Sequence, residues 1–272
     1  MLRLGFISII LGFLLSINAF AQNPIEECFT YLNAGDYQRA IKAGEKAVRL
    51  YPQNARAYNC LARAYSETGQ LDLALSNLKK AELYAKSQKD LGYIYNQIGL
   101  VYNTKGNYDD ALYYFSRALN IFINLNDRKA IAILYNNIAA VYYNQGDIDK
   151  ALEYYQKSLD LTSDEKEKAT TYNNIALIYA SKGDYNKAIE YLKKAIEIGE
   201  KYGQYHDVAK RMLNLGAIYI VVKDYDKAKY YLEEGLKRIQ KVGDKYWEAF
   251  AYKYLGWYYR DINNKKLAKE YL

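Results

Sequence analysis

Apolar residues recur at helical spacing along most of the chain, in segments that resemble one another. In the segment that begins at Tyr135, an isoleucine, an alanine and a second tyrosine follow at intervals of three, four and seven residues. Side chains at these intervals lie on one face of an α-helix. A glycine then interrupts the pattern, and a second apolar stripe with an alanine begins. Each segment therefore predicts two helices joined by a tight turn, called helix A and helix B below.

Close copies of this segment begin at Tyr95 and Tyr172. In each copy the turn glycine precedes an Asp or Asn, which favours an N-cap for helix B. The landmark glycines and their equivalents are spaced by 34, 37, 40, 37, 40 and 40 residues, and they are Gly35, Gly69, Gly106, Gly146, Gly183, Lys223 and Asn263.

The repeated pattern resembles the tetratricopeptide repeat, in which W-x2-L-G-x2-Y is followed by A-x3-F. Tyr58, Leu61, Ala62 and Tyr65 match the first part in one copy. The resemblance covers nearly all of the chain after about residue 22 and implies an all-α, superhelical α-α solenoid of about six and a half repeats. Its 37- to 40-residue steps are similar to those of the longer repeats in kinesin light chains and bacterial signalling proteins.

The first 21 residues differ in kind from the remainder. A short positive start is followed by an apolar run from Leu4 to Leu15 and by small residues that end at Ala21. This is typical of a secretory signal peptide that is cleaved after Ala21, and the alternative is an uncleaved membrane anchor. We expect a periplasmic or secreted protein, with residues 22–272 forming one solenoid domain.

The chain has two cysteines, Cys28 and Cys60, on successive helices A. An exported protein can form a disulfide, but the sequence does not place the two side chains close together. The favoured interpretation is two buried or half-buried free thiols, and a disulfide stays the alternative.

The sequence ends at Leu272, which is equivalent to Phe115 and lies part-way along helix B of the last, incomplete repeat. We expect either that this repeat frays or that the chain is one portion of a longer polypeptide.

Composition argues against catalysis. The single histidine, His206, is predicted to lie in a surface loop, and no motif for a metal, a phosphate or a nucleophile is present. We predict no enzyme activity and no cofactor. The formal net charge of +7 is spread over a surface of mixed sign, which argues against nucleic acid as a partner. The 33 tyrosines are explained by packing between repeated helices.

The face of helix A opposite its core is the candidate binding surface. In the tetratricopeptide family this face lines a concave groove that binds peptides or partner helices. Because amides both donate and accept hydrogen bonds, a row of them can pair with the backbone of an extended segment. The middle of the groove lacks the basic residues of a carboxylate clamp. The predicted groove residues are Asn59, Asn96, Gln97, Asn136, Asn137, Asn173, Asn174 and Asn214.

Two of the amides occupy successive positions in several helices A. The earlier position, occupied by Asn59, Asn96, Asn136 and Asn173, is the favoured one for binding, since asparagine at the later position is common in the repeat itself. The leading hypothesis is an exported, non-enzymatic scaffold that binds a protein or peptide partner, with a mostly uncharged peptide or helical segment of that partner in the concave groove. The alternative is the extracytoplasmic sensor portion of a membrane-bound signalling protein, such as a histidine kinase or transcriptional regulator. Membrane contact is expected only through an uncleaved signal or a missing C-terminal region.

Overall fold

The structure is a computed structural model that describes residues 23–272, and the predicted signal peptide and its cleavage site lie outside the described residues. Within this range the chain forms fourteen α-helices and no strand. The helices are α1 (Pro24–Asn33), α2 (Tyr37–Leu50), α3 (Ala55–Glu67), α4 (Leu71–Leu83), α5 (Gln88–Thr104), α6 (Tyr108–Asn124), α7 (Arg128–Asn144), α8 (Ile148–Leu161), α9 (Glu165–Ser181), α10 (Tyr185–Lys201), α11 (Tyr205–Val221), α12 (Tyr225–Val242), α13 (Lys245–Asp261) and α14 (Lys265–Tyr271).

The helices form the predicted pairs, in which odd-numbered helices are helices A and even-numbered helices are helices B. Each helix A packs against the helix B that follows it within the pair. The prediction of an all-α repeat fold is thus confirmed. The chain separates into two compact units at residue 125, and each is described by itself below. The prediction that residues 22–272 form one uninterrupted domain stays a prediction.

The turns between helices A and B fall at the landmark residues. The five landmark glycines have φ angles between 76° and 83°, a left-handed conformation that costs glycine no steric penalty. Lys223 and Asn263 take the same conformation, each with a φ of 62°. The backbone turn therefore persists in the two repeats where the sequence has lost its glycine.

Aspartates after the turn cap helix B as predicted. The side chain of Asp147 accepts a hydrogen bond from the backbone N–H of Lys150, and that of Asp184 accepts one from Lys187. Asn107 occupies the same N-cap position, but its side chain makes no capping hydrogen bond. Asn107 therefore lies at the predicted N-cap position without capping the helix through its side chain.

The small residue of helix A allows helix B to approach closely. A Cβ atom built on Gly99 would lie 2.6 Å from the ring of Phe115, and one on Gly216 would lie 2.7 Å from Leu232. A Cβ atom built on Gly256 would likewise lie 2.5 Å from the side chain of Leu272. Leu272 thus occupies the position equivalent to Phe115, and α14 is the helix B that packs against α13.

In the first unit, a small core joins α1, α2 and α3 around a disulfide. Cys28 and Cys60 are bonded to each other, with their Cα atoms 6.3 Å apart, and both are completely buried. The favoured interpretation of two free thiols was wrong. Helix A spacing alone does not show which faces of α1 and α3 meet, whereas the fold turns both cysteines into the same core with Leu32 and Ala64.

In the second unit, the largest core cluster runs through α9 to α13. Fully buried leucines at Leu192, Leu213, Leu215 and Leu232 lie at its centre. Half-buried aromatic residues surround them, Tyr191 among them. Burial of these side chains removes most of their apolar surface from water, which is the main source of stability in a helical repeat.

Tyrosines stack in pairs that join helix A to helix B in successive repeats. The rings of Tyr179 and Tyr191 are 5.7 Å apart and inclined by only 6°. Together with four equivalent pairs, this pair places ten of the 33 tyrosines between helices, in line with the packing hypothesis. The equivalent stacked pairs are Tyr102 with Tyr114, Tyr142 with Tyr154, Tyr219 with Tyr231, and Tyr259 with Tyr271.

Tyr155 gives a test of this core at alkaline pH. Its side chain is 2% exposed, and burial raises the pKa of its phenol strongly. A group whose pKa is raised on folding stabilises the fold fully below its unfolded pKa, about 10 for tyrosine, and loses that contribution as the pH rises further. Tyr155→Phe should therefore make the free energy of unfolding fall less steeply above pH 10, by up to about 1.4 kcal/mol per pH unit. Urea titrations at a series of pH values measure how the free energy of unfolding changes with pH. Equal slopes in the wild-type protein and the variant would contradict a raised pKa for Tyr155.

Candidate functional site

All eight predicted groove residues lie on helices A. Asn59 lies on α3, with Asn96 and Gln97 on α5, and these three belong to the first unit. The second unit holds the other five residues, on α7, α9 and α11. The structure brings four side chains of the second unit into one hydrogen-bonded group. This group contains Asn136, Thr171, Asn173 and Asn174.

In the first unit the three amides differ in their surroundings. Asn96 is buried, at 9% exposure, whereas Asn59 and Gln97 are half-buried. The side-chain oxygen of Asn59 is inaccessible to solvent and has no hydrogen-bond partner. Asn59 and Asn96 thus face mainly into the packed protein, and Gln97 is the more accessible amide of the α5 pair.

In the second unit Asn136 joins two successive helices A. Its side-chain oxygen accepts hydrogen bonds from the Thr171 hydroxyl and from the Asn174 amide, each at 3.3 Å. Asn174 also bonds the buried hydroxyl of Tyr155, which lies on the helix B between them. Asn136 therefore links α7 to α9, and much of its hydrogen-bonding capacity is used inside the protein.

Asn173 and Asn214 have fewer internal bonds. Asn173 donates a hydrogen bond to the side-chain oxygen of Asn174 at 3.4 Å, and its own oxygen is buried without a partner. Asn214 is half-buried on α11. The structure therefore favours the later amide position, with Gln97 and Asn214, over the earlier position that the sequence had favoured.

A cleft of about 250 Å³ opens beside the amide group. Asn136 and Asn137 line it from α7, while Thr170 and Thr171 line it from α9. Ile133, which is 36% exposed, supplies an apolar edge. The cleft can take a small polar side chain from a bound segment, since amides, hydroxyls and the Glu167 carboxylate surround it.

The sequence analysis missed an aromatic stripe along α13. Tyr246, Phe250, Tyr254 and Trp257 follow one another at intervals of four, four and three residues, which places them on one face of the helix. Their ring centroids are 5.0, 6.3 and 5.4 Å apart in that order. Phe250, Tyr254 and Trp257 occupy the groove positions of α13, equivalent to those of Ile133, Asn137 and Ala140 on α7.

Two lysines lie over aromatic rings of α13, and one of them, Lys253, lies over this stripe. The Lys253 ammonium is 4.8 Å from the ring centroid of Trp257 and 5.9 Å from that of Phe250. The Lys210 ammonium, on α11, is 5.8 Å from the ring of Trp247. A cation held over aromatic faces is attracted by the electron density of the rings and stays available to an anion.

His206 lies in the first turn of α11 and not in a loop as predicted. Its ring nitrogen Nε2 is 2.8 Å from a carboxylate oxygen of Asp244, the residue that caps α13. This pair connects the starts of two successive helices A. In residues 23–272 no three His, Cys, Asp or Glu side chains gather in a way that could hold a metal ion. None of the described helices is both long and apolar enough to cross a membrane.

Comparison with protein families gives three matches, each described as tetratricopeptide repeat. One family model matches residues 90–164, 167–238 and 208–272. The other two match residues 43–76 and residues 29–54. Together they cover most of the described chain.

A curated relative is the small glutamine-rich tetratricopeptide repeat-containing protein 2 of Mycosarcoma maydis, 29% identical over 90 residues. This match covers 33% of the chain and a quarter, 25%, of that protein. Among solved structures, a Rap protein complexed with competence and sporulation factor is 16% identical with a TM-score of 0.69, over 91% of this chain and 84% of that one. A signal transduction ATPase with a tetratricopeptide repeat sensor from Pyrococcus horikoshii is 20% identical with a TM-score of 0.70, over 94% of this chain and 41% of that one.

Proposed function

Because this chain belongs to the tetratricopeptide repeat family, we propose that it is a non-catalytic scaffold that binds a peptide or helical segment of a partner protein. The surface proposed for this segment is the groove face of its helices A. In the second unit this face offers the cleft beside Asn136, the amide of Asn214 and the aromatic stripe of α13. A fold of this family does not name its partner, so the proposal depends on these side chains.

The accessible amide of Asn214 is the observation that carries the proposal. An extended segment has backbone N–H and C=O groups that lose their water on binding, and unpaired groups cost about 1–3 kcal/mol each. An amide can pair with either kind of group whatever the side chains of the segment are. Apolar neighbours on the same face, such as Leu177 at 36% exposure, would bury the side chains of the segment.

The disulfide supports the proposal that the protein acts outside the cytoplasm. Disulfides persist in the periplasm and in secreted proteins, and they are rare where thiols are kept reduced. Cys28 and Cys60 close a buried bond in the first unit, which suits an exported chain. We therefore propose a periplasmic or secreted scaffold.

Affinity capture from the cell envelope fraction tests the binding proposal. We expect Asn214→Ala to weaken partner capture at least about tenfold, because guest backbone groups lose their pairing amide. Asn186→Ala is the matched control, since Asn186 is an exposed asparagine on helix B of the second unit. Equal capture by Asn214→Ala and by the control would remove the groove face from the proposal.

Asn136→Ala should behave differently, because Asn136 supports the fold. Its loss leaves the Asn174 amide without its acceptor and the Thr171 hydroxyl with only the backbone oxygen of Glu167, so we expect the free energy of unfolding to fall by about 1–3 kcal/mol. Asn214→Ala should change it by less than about 0.5 kcal/mol. Urea denaturation followed by circular dichroism separates the two, and equal stability of both variants would contradict the structural role of Asn136.

A further inference from the structure

The aromatic stripe of α13 has features that a purely structural cluster does not need. The buried sides of Trp247, Tyr254 and Trp257 pack against the core of the second unit. Tyr246, at the start of the stripe, is 68% exposed. Phe250, Tyr254 and Trp257 are half-buried, so a partly exposed aromatic row on the groove face extends the proposed binding surface with apolar side chains.

The rings of the stripe form notches and not a flat platform. Successive rings from Tyr246 through Phe250 and Tyr254 to Trp257 are inclined to one another by 56°, 60° and 55°. A sugar ring stacks best on a flat aromatic face, whereas the ring of proline fits between inclined aromatic side chains. Aromatic-lined grooves of this kind bind proline-rich segments in the polyproline II conformation.

The dimensions of such a segment suit the stripe. Phe250 and Trp257 are seven residues apart on one helix, which corresponds to about 10 Å along its axis. One turn of a polyproline II helix is about 9 Å long. Prolines one turn apart would therefore reach the two ends of this part of the stripe.

The charges around the stripe indicate the charge that a bound segment should carry. The acidic side chains near it are paired: Asp244 with His206, Glu248 with Lys245, Asp261 with Arg260, and Asp207 with Lys210 at 3.9 Å. Lys253 contacts two aromatic rings and has no acidic partner among the described residues. Lys253 therefore gives the stripe a positive charge that no carboxylate of the described residues offsets.

From these observations we propose that the α13 stripe binds an extended, proline-containing segment that carries an acidic side chain, with the carboxylate on Lys253 and the prolines on Phe250 and Trp257. This inference rests on the proposed function, because it names the chemistry of the segment that the groove face binds. Asn214, on the preceding helix A, would donate to a backbone carbonyl of the segment. This pairing suits a segment in which prolines supply no N–H groups.

The two tryptophans of the chain, Trp247 and Trp257, give a direct measurement. We expect a blocked peptide of repeated Pro-Pro-Glu to change the tryptophan fluorescence of the intact protein saturably. Peptides of Pro-Pro-Lys and of Ala-Ala-Glu should bind at least about tenfold more weakly. Equal titrations with all three peptides, or a response only to a neutral oligosaccharide or to anionic lipid vesicles, would overturn the proposal.

A charge reversal at Lys253 supplies the matched variants. Lys253→Glu should reverse the preference, so that Pro-Pro-Lys binds more tightly than Pro-Pro-Glu. Lys229→Glu, an exposed lysine on a helix B, should leave the preference unchanged. If the Asn214 variant loses its partner but the Pro-Pro-Glu peptide gives no response, the proposed function stands and this inference fails. Peptide binding by the intact protein without an effect of Asn214→Ala on partner capture would support the peptide chemistry and contradict the proposed role of Asn214.

Discussion

Replacing Cys28 and Cys60 together by alanine should lower the stability of the first helix pair by roughly 3–4 kcal/mol. The bond joins residues that are 32 positions apart, and it limits the freedom of that segment in the unfolded chain. In repeat proteins stability is a sum of local terms, so the loss should be concentrated in α1 to α3. Hydrogen exchange should then show backbone amides of α1 exchanging about 10² to 10³ times faster than in the oxidised protein.

Reductant supplies the control for this experiment. It should convert the exchange pattern of the wild-type protein to that of the double variant and have no effect on the variant itself. Amides of α11 in the second unit should keep their protection in every sample. Unchanged protection of α1 after loss of the bond would show that the core around Leu32 and Ala64 holds the first repeat without it.

Gly216→Ala should destabilise the second unit by about 1–3 kcal/mol relative to Gly256→Ala. Both glycines occupy the small-residue position of helix A, and both face a leucine of helix B. At Gly216 a Cβ atom would lie 2.7 Å from the side chain of Leu232 and 3.2 Å from its backbone nitrogen. Leu232 is completely buried, so α11 and α12 must move apart to make room.

Gly256 is the matched control because its neighbour is free to move. The side chain of Leu272 is 69% exposed and can turn away from a new methyl group. Alanine in a helix interior is favoured over glycine by about 1 kcal/mol, so Gly256→Ala should leave stability equal or slightly higher. Chemical denaturation measured by circular dichroism gives both values. Equal midpoints for the two variants would show that buried Leu232 adapts as easily as the exposed leucine.

The sequence predicted the helix pairs and their register because the repeat fixes them locally. Turn glycines require a left-handed backbone, and Lys223 and Asn263 could be assigned to the same turn from the spacing alone. The disulfide could not be predicted, since it depends on which faces of α1 and α3 meet. His206 was placed in a loop because Gly203 and Gln204 suggested a longer turn than the structure has.

The site was only partly predictable for a similar reason. The positions of all eight amides on helices A follow from the helical period. Whether an amide bonds a neighbouring helix, as Asn136 does, depends on residues about 35 positions away, which no local pattern shows. The stripe of α13 was hidden among tyrosines that the repeat places in the core. Phe250, Tyr254 and Trp257 are each followed directly by a core residue, and only their surroundings distinguish them.

The bonds from Asn136 to Thr171 and Asn174 separate structural residues from proposed binding residues within the second unit. They hold α7 and α9 at a set spacing, so a substitution there alters the scaffold before it alters what the scaffold recognises. Lys253 and Asn214 have no such structural role. A few substitutions on α11 and α13 could therefore change the partner that the protein binds, while the arrangement of α7 and α9 stays the same.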